Sequence, residues 1–212
     1  MTNKGVLKRS PPFNMTIIDR FLKRIFDILA SVAGLLLLWP VMALVALSIR
    51  LSDGGSAFFR QARVGKEGQV FSVIKFRTMQ LNHGVGSTVT IHGDKRVTGV
   101  GSFLRRWKLD ELPQLWNILK GEMSFVGPRP DVPGFADRLV GEDRIILKIR
   151  PGITGPATLK YRNEEELLAA QPDPERYNIT VIFPDKVRLN RDYVKNYSLT
   201  KDIKYIFKTL LG

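Results

Sequence analysis

The dominant pattern along the chain is a stretch from Ile28 to Ile49, ILASVAGLLLLWPVMALVALSI, that places 22 residues in a row without a charge. A helix needs roughly 20 apolar residues to cross a bilayer core, so the stretch predicts a membrane helix. A signal peptide carries a shorter apolar run, about 7–15 residues, and Arg50 followed by Ser52-Asp53-Gly54-Gly55 gives no clear cleavage motif. Both flanks are basic: Lys8, Arg9, Arg20, Lys23 and Arg24 precede the run, and Arg50, Arg60, Arg63 and Lys66 follow it. Basic flanks tend to stay on the cytoplasmic side, so a straight crossing would export one cationic end. Pro40, just past the middle, removes a backbone donor and favours a kink. Two arrangements fit this pattern, a straight spanning helix with a tolerated proline and a helix that bends near Trp39-Pro40 and returns to the face it entered.

Before the run, residues 1–16 combine Lys4, Lys8 and Arg9 with Pro11-Pro12 and show no periodicity, which predicts a basic flexible tail. Residues 17–27 then set Ile17, Ile18, Phe21, Leu22, Ile25 and Phe26 against Arg20, Lys23 and Arg24, the spacing of an amphipathic lead-in helix at an interface. Downstream, residues 57–61 and 70–79 have strand-like content, with a hairpin turn predicted at 65–68. Residues 82–101, rich in Gly and Thr and holding both histidines, His83 and His92, read as a long loop. Helices are expected at 102–107, at 111–120 with Gly121 as the stop, at 135–147, 163–170 and 186–195. The last helix sets Ile203, Ile206, Phe207, Leu210 and Leu211 against Lys201, Lys204 and Lys208, a face suited equally to core packing and to a membrane surface. The expected organisation is thus a membrane segment over residues 17–50, interrupted at Pro40, and a helix-rich α/β catalytic domain over 51–212.

Composition narrows the chemistry. The 212 residues include no cysteine and two histidines, which excludes a disulfide framework, a thiolate nucleophile and Cys-rich zinc sites and leaves carboxylates, hydroxyls and basic groups. A net charge of +13 calls for a polyanionic partner: nucleic acid, anionic headgroups or a substrate with several phosphates. Aromatics are not interleaved with the basic residues as a base-stacking platform requires, which disfavours nucleic acid. The alternative class is a membrane-anchored polyanion-binding module without catalysis.

The densest chemical signal is SFLRRWKLDELPQLWNILKGEMSFVGPRP, residues 102–130. Asp110 is placed to cap a helix beginning at Glu111, with Pro113 in its first turn, and a common structural cap explains the same residues. As a nucleophile, Asp110 could accept a phosphoryl group as an acyl phosphate and split one displacement into two. Charge neutralisation could come from Lys75, Arg77, Arg105, Arg106, Arg129 and Arg150, with Mg2+ held by one or two carboxylates. Prolines beside Arg129 and Arg150 fix their backbones. The histidines read as incidental, and Tyr161, Arg162 and Glu164 to Glu166 as either sugar contacts or helix-surface polarity.

Taken together, the apolar segment with its central proline, Lys75-Phe76-Arg77-Thr78-Met79, Leu109-Asp110-Glu111-Leu112-Pro113-Gln114, residues 124–130 and Arg150-Pro151-Gly152-Ile153-Thr154-Gly155 resemble the bacterial sugar transferase family of small monotopic phosphoglycosyl transferases. The resemblance runs from about Ile17 to the C-terminus. It implies a re-entrant membrane helix bent at Pro40 and a location on the cytoplasmic face of the bacterial inner membrane. It also implies a ping-pong reaction in which Asp110, nucleophile and Mg2+ ligand, takes the sugar-phosphate from a UDP-sugar, releases UMP, and passes it to polyprenyl phosphate to start glycan assembly. By the same resemblance Glu111 completes the catalytic dyad, Arg105 holds substrate phosphate, and Lys75, Arg77, Arg129 and Arg150 line the site. Trp39, where the family often has serine, and the Pro156-Ala157-Thr158-Leu159-Lys160-Tyr161 continuation depart from the pattern. The chain shows no counterpart of the extra N-terminal membrane helices of larger members. Sugar identity and oligomeric state, a homodimer included, are not specified.

Overall fold

The computed structural model describes residues 15–80 and 94–211. Residues 1–14 of the expected basic tail and most of the expected loop, with His83 and His92, lie outside the described residues, whereas Met15, expected in that tail, is buried in the main core and Thr16 caps the first helix. The apolar run and its lead-in form one helix, α1, Ile17–Asp53, opened by a capping box between Thr16 and Asp19 and closed at Gly54 in the left-handed conformation. Pro40 lies inside α1 and the helix continues through it, so the expected interruption is not a break in the helix. At 1.5 Å per residue, 37 residues span about 55 Å.

One stripe of α1 packs on the rest of the chain along most of that length. Near its start, Asp27 Oδ1 accepts from Ser124 Oγ (3.0 Å) and from the Phe125 amide (3.1 Å), while Ser31 Oγ donates to the Asp27 carbonyl. Further on, Gly34 faces Leu115, Leu35 and Leu38 join the core around Val73 and Ile118, and Met42, Val45, Ala46 and Ile49 pack with Phe76 and Leu104. Positions 27, 31, 34, 35, 38, 42, 45, 46 and 49 follow the 3.6-residue period. The opposite stripe, including Leu29, Leu36, Leu37, Trp39, Leu44, Leu47 and Leu51, is exposed, as are Ile17, Ile18 and Phe21 in the lead-in. Lys23, expected on the solvated side of that lead-in, is instead buried. It pairs with Asp202, which also accepts from the Tyr193 hydroxyl at 2.6 Å.

The expected hairpin is present: β1, Phe58–Val64, pairs antiparallel with β2, Val70–Phe76, in the register Phe58↔Phe76, and a 3-10 turn at Lys66–Gly68 joins them. Next come α2, Gly99–Arg106, and α3, Gln114–Lys120, stopped as expected by Gly121 at φ 88°. Two three-residue strands escaped the sequence reading. β3, Ser124–Val126, and β4, Gly152–Thr154, pair in parallel, and a Cβ at Gly127 would lie 2.5 Å from the Arg150 carbonyl oxygen. The helix expected at 135–147 is two 3-10 segments, Ala136–Arg138 and Gly141–Lys148, in which buried Ile145, Ile146 and Leu147 serve the main core. The chain then runs through α4, Pro156–Lys160, α5, Glu164–Ala169, α6, Pro174–Tyr177, a π turn at Asn178–Ile182, α7, Phe183–Lys195, and α8, Leu199–Leu211. On α8, Tyr205 and Ile206 pack against the core, whereas Phe207, Leu210 and Leu211 are exposed. The result is a helix-rich α/β domain with a long apolar helix laid against it.

Candidate active site

Three elements converge on Asp110 and Glu111. The side chain of Asn117, fully buried on α3, accepts from the Ile74 amide (3.0 Å) and donates to the Ser72 carbonyl (2.8 Å), which fixes α3 against β2. The turn that feeds α3 therefore lies over Lys75. Lys75 Nζ donates to Glu111 Oε1 at 3.1 Å. From the other side Arg129, delivered by the segment after β3, donates to both Glu111 oxygens, at 2.5 Å to Oε1 and 3.4 Å to Oε2. Burial alone would favour a neutral Glu111, but Arg129 and Lys75 win and hold it well below the usual carboxylate range. Glu111 raises Arg129 in return, and burial lowers Lys75. Glu111 thus stays ionised as the counterion of two cations.

Asp110 has the contrary environment. It is 8% exposed, burial pushes its pKa up while Lys75 opposes, and its Oδ1 has no hydrogen-bond partner. The helix cap expected of it is absent. Lys108 adopts φ 55°, Leu109–Glu111 forms a 3-10 turn, and α3 starts only at Gln114, with Pro113 at its cap position. The Asp110 carboxylate is therefore free of the backbone, because the tight turn before Pro113 leaves no helical amides within reach of its oxygen. A desolvated carboxylate with an open oxygen is a stronger nucleophile than a hydrated one and is also a ready cation ligand.

Arg105 reaches the same region from α2. Gly101 allows α2 to sit on the Thr78 backbone, since a Cβ there would lie 2.1 Å from the Thr78 carbonyl oxygen. Arg105 Nε then donates to Thr78 Oγ1 (3.0 Å), and its Nη1 reaches Glu165 on α5 at 3.3 Å. Arg77 and Arg150 are placed differently. Arg77 donates from Nε to the Ser56 carbonyl and tethers the end of α1 to β2. Arg150 Nε donates to the Gly121 carbonyl (2.7 Å) beside Arg24, which donates to the Ile118 and Leu119 carbonyls, so both cations cap the C-terminus of α3, the end away from Asp110. The structure thus gathers Lys75, Arg105, Asp110, Glu111 and Arg129, and sets Arg77 and Arg150 to hold the frame. The sequence reading did not single out Asp131, two residues after Arg129, whose pKa burial pushes up to about 6 against Lys186 and Arg63.

Among the described residues no group of three or more Asp, Glu, His or Cys side chains could hold a metal. Glu111 is engaged by Lys75 and Arg129, whereas the adjacent Asp110 Oδ1 is a buried carboxylate oxygen without a partner. That fits Mg2+, which commonly takes one or two carboxylates and fills its shell with water and substrate phosphate oxygens.

A buried carboxylate with an open oxygen, set among cations next to a long apolar helix, is the candidate active site of this chain. The chain belongs to the bacterial sugar transferase family, whose sequence profile matches residues 18–212, and is accordingly a transferase. It is 37% identical over 204 residues to the exopolysaccharide production protein ExoY of Sinorhizobium fredii, covering 89% of this chain and 83% of that protein. It is 39% identical over 194 residues to a UDP-N-acetylgalactosamine-undecaprenyl-phosphate N-acetylgalactosaminephosphotransferase of Aeromonas hydrophila, and 38% over 199 residues to the UDP-glucose:undecaprenyl-phosphate glucose-1-phosphate transferase of Escherichia coli. These two alignments cover 90% and 91% of this chain but only 43% and 40% of those longer proteins.

Proposed function

We propose that the chain transfers a sugar-1-phosphate from a UDP-sugar to polyprenyl phosphate through a covalent phosphosugar on Asp110, as the first step of bacterial glycan or exopolysaccharide assembly. The open, desolvated Oδ1 of Asp110 carries this reading. In the first half-reaction that oxygen attacks the phosphorus next to the sugar, the P–O bond to the uridine monophosphate breaks, and UMP leaves with the bond's electron pair. In the second, an oxygen of the lipid phosphate attacks the same phosphorus and the Asp110 carboxylate departs. Neither step requires a proton to be removed from the nucleophile, which suits a site in which Glu111 is held ionised by Lys75 and Arg129. Arg129, Lys75 and Arg105 supply the positive charge that a transferring phosphoryl group needs. Mg2+, held by Asp110 and substrate oxygens, would supply further charge neutralisation. The names of the Aeromonas and Escherichia relatives, which specify UDP-sugar donors and undecaprenyl phosphate, support both substrates. Membership of a sugar transferase family removes the motive for the non-catalytic polyanion-binding alternative.

The same proposal places α1 in one leaflet, with both ends on the cytoplasmic face of the inner membrane. Its support is that α1 touches the catalytic domain from Asp27 to Ile49. A helix that crossed a hydrocarbon core of about 30 Å would carry one of those ends away from the domain. The exposed stripe of α1 and the outward residues of α8 then face lipid. Because the chain has no native cysteine, Thr2→Cys and Gly55→Cys give single reactive positions beyond each end of α1. In spheroplasts both should resist a membrane-impermeant maleimide; labelling of one end alone would defeat the re-entrant arrangement. For the chemistry, protein in nanodiscs with Mg2+ and a panel of UDP-sugars should release UMP and gain one sugar-phosphate in mass at Asp110. Asp110→Asn should abolish both, and near-normal turnover in that variant would refute the covalent mechanism.

A further inference from the structure

Of the buried polar atoms that lack a hydrogen-bond partner among the described residues, two belong to the short segment that carries the dyad: Asp110 Oδ1 and Gln114 Nε2. Leu112 and Pro113 both take right-handed helical angles, so the chain turns continuously from Leu109 into α3. Glu111, Gln114 and Asn117 recur on it at every third residue and therefore line one side. At both ends of that line the side chain reaches β2: Glu111 accepts from Lys75 (3.1 Å), and Asn117 accepts from the Ile74 amide and donates to the Ser72 carbonyl. Gln114 stands between these two anchors and is 2% exposed, yet its amide nitrogen has no acceptor.

A buried donor and a buried acceptor on adjoining turns could satisfy each other. Gln114 Nε2 and Asp110 Oδ1 do not, although Glu111 and Asn117, on either side of Gln114, have both polar atoms of their side chains engaged. Leaving the two groups desolvated and unbonded costs stability, so the arrangement implies a third group that meets the carboxylate and brings an acceptor to the amide. A phosphoryl group joined to Asp110 does both, since its phosphorus takes up the carboxylate oxygen and its non-bridging oxygens accept hydrogen bonds. Lys75 and Arg129 divide their donors between Glu111 and such a group. Gln114 Nε2 has no competing acceptor and is fixed before the substrate arrives, which is the condition under which a donor contributes most to a transition state.

We propose that Gln114 is a further catalytic residue, donating from Nε2 to a non-bridging oxygen of the phosphoryl group as it passes onto and off Asp110. This rests on the transferase reading above and adds a neutral donor to its cations. No bond breaks and no proton moves at Gln114; the amide stabilises the charge that gathers on the equatorial oxygens of the phosphorus in both half-reactions. Gln114→Met, which nearly keeps the volume and removes the donor, tests it with the full chain in nanodiscs. Because the deleted group is buried and unsatisfied, the variant should melt at or above the wild-type temperature. Its kcat for UMP release should fall about a hundredfold while KM for the UDP-sugar changes less than about threefold. A UDP-sugar with sulfur in place of one non-bridging oxygen on the phosphorus next to the sugar supplies a second readout, since sulfur is a poor acceptor. One diastereomer should slow the wild type far more than it slows the variant, an effect that a merely structural glutamine would not produce. A folded Gln114→Met with kcat within about threefold of wild type, or with the wild-type ratio of rates for the two diastereomers, overturns the proposal. Should that variant not fold, Gln114→Asn, which withdraws the amide by a methylene, carries the same comparison of diastereomers. Wild-type protein that releases UMP from no UDP-sugar overturns the parent reading instead, an outcome visible before any variant is made.

Discussion

Two buried charge clusters sit at opposite ends of α3, and they differ in one respect. Around Lys23, the ammonium meets Asp202, Asp202 takes the Tyr193 hydroxyl, and Asp27 close by is bonded to Ser124 and Phe125. Around Glu111 the cations are equally well paired, but the adjacent Asp110 keeps an oxygen that nothing satisfies. The first cluster pairs both of its carboxylates and clasps α1 to α7 and α8, although the buried Tyr197 hydroxyl beside Lys23 has no partner. The second is open, and it tolerates a desolvated carboxylate that a purely structural cluster would have no reason to keep. An unsatisfied carboxylate oxygen, as opposed to the unsatisfied neutral hydroxyl of Tyr197, separates the site from the clasp.

The largest effect that can break this comparison is at Asp110. Removing its charge should cut UMP release by at least a thousandfold. Because burial already disfavours the ionised form, Asp110→Asn should leave the melting temperature unchanged or raise it. A strongly destabilised Asp110→Asn would mean that the carboxylate is structural after all. The converse holds at the clasp: Lys23→Met leaves Asp202 buried and uncompensated, for a cost of about 3–5 kcal/mol. Urea unfolding should show that loss, while the folded fraction keeps its turnover per molecule; pairing Lys23→Met with Asp202→Leu should recover much of it.

This division also explains what the sequence disclosed. The apolar run, the hairpin with its turn at 65–68 and the stop at Gly121 follow from local patterns, and the structure has them within a few residues. The grouping of Lys75, Arg105 and Arg129 around the dyad rested on the family resemblance, since spacing alone treats each as a surface charge. What sequence hid depends on distant partners. Ser124 and Gly152 meet across 28 residues in strands too short to carry a period, and Lys23 and Asp202 lie 179 residues apart. Lys23 read as solvated because its own helix face is polar in sequence; only α7 and α8 reveal that the face is covered. Arg150 read as a phosphate ligand because prolines fix its backbone, yet that rigidity serves the α3 carbonyls.

Arg129 and Arg150 sharpen the contrast at smaller amplitude. Arg129→Ala removes the main counterion of Glu111 and a donor to the phosphoryl group, so UMP release should fall about a hundredfold. Arg150→Ala should cost about 1 kcal/mol of stability through the lost cap and leave kcat within about twofold. Equal losses of activity in both would show that Arg150 belongs to the site.

The smallest effect concerns pH and separates Asp131 from Glu111. Asp131 holds its proton to about pH 6 in the folded chain, against about 3.9 when unfolded. Its protonation therefore contributes stability that is complete below about pH 4 and lost as pH rises through about 6. Glu111, with its pKa depressed, contributes stability above about pH 4.3 that is lost only in stronger acid. Arg63, Arg129 and Lys186 favour the ionised Asp131 and Glu164 opposes it, so the asparagine variant should retain all four charges while deleting the titration. The melting temperature of Asp131→Asn, taken relative to wild type, should accordingly rise by a few degrees between pH 4 and pH 7. A difference that stays flat across that window would mean Asp131 is solvated like an ordinary surface carboxylate.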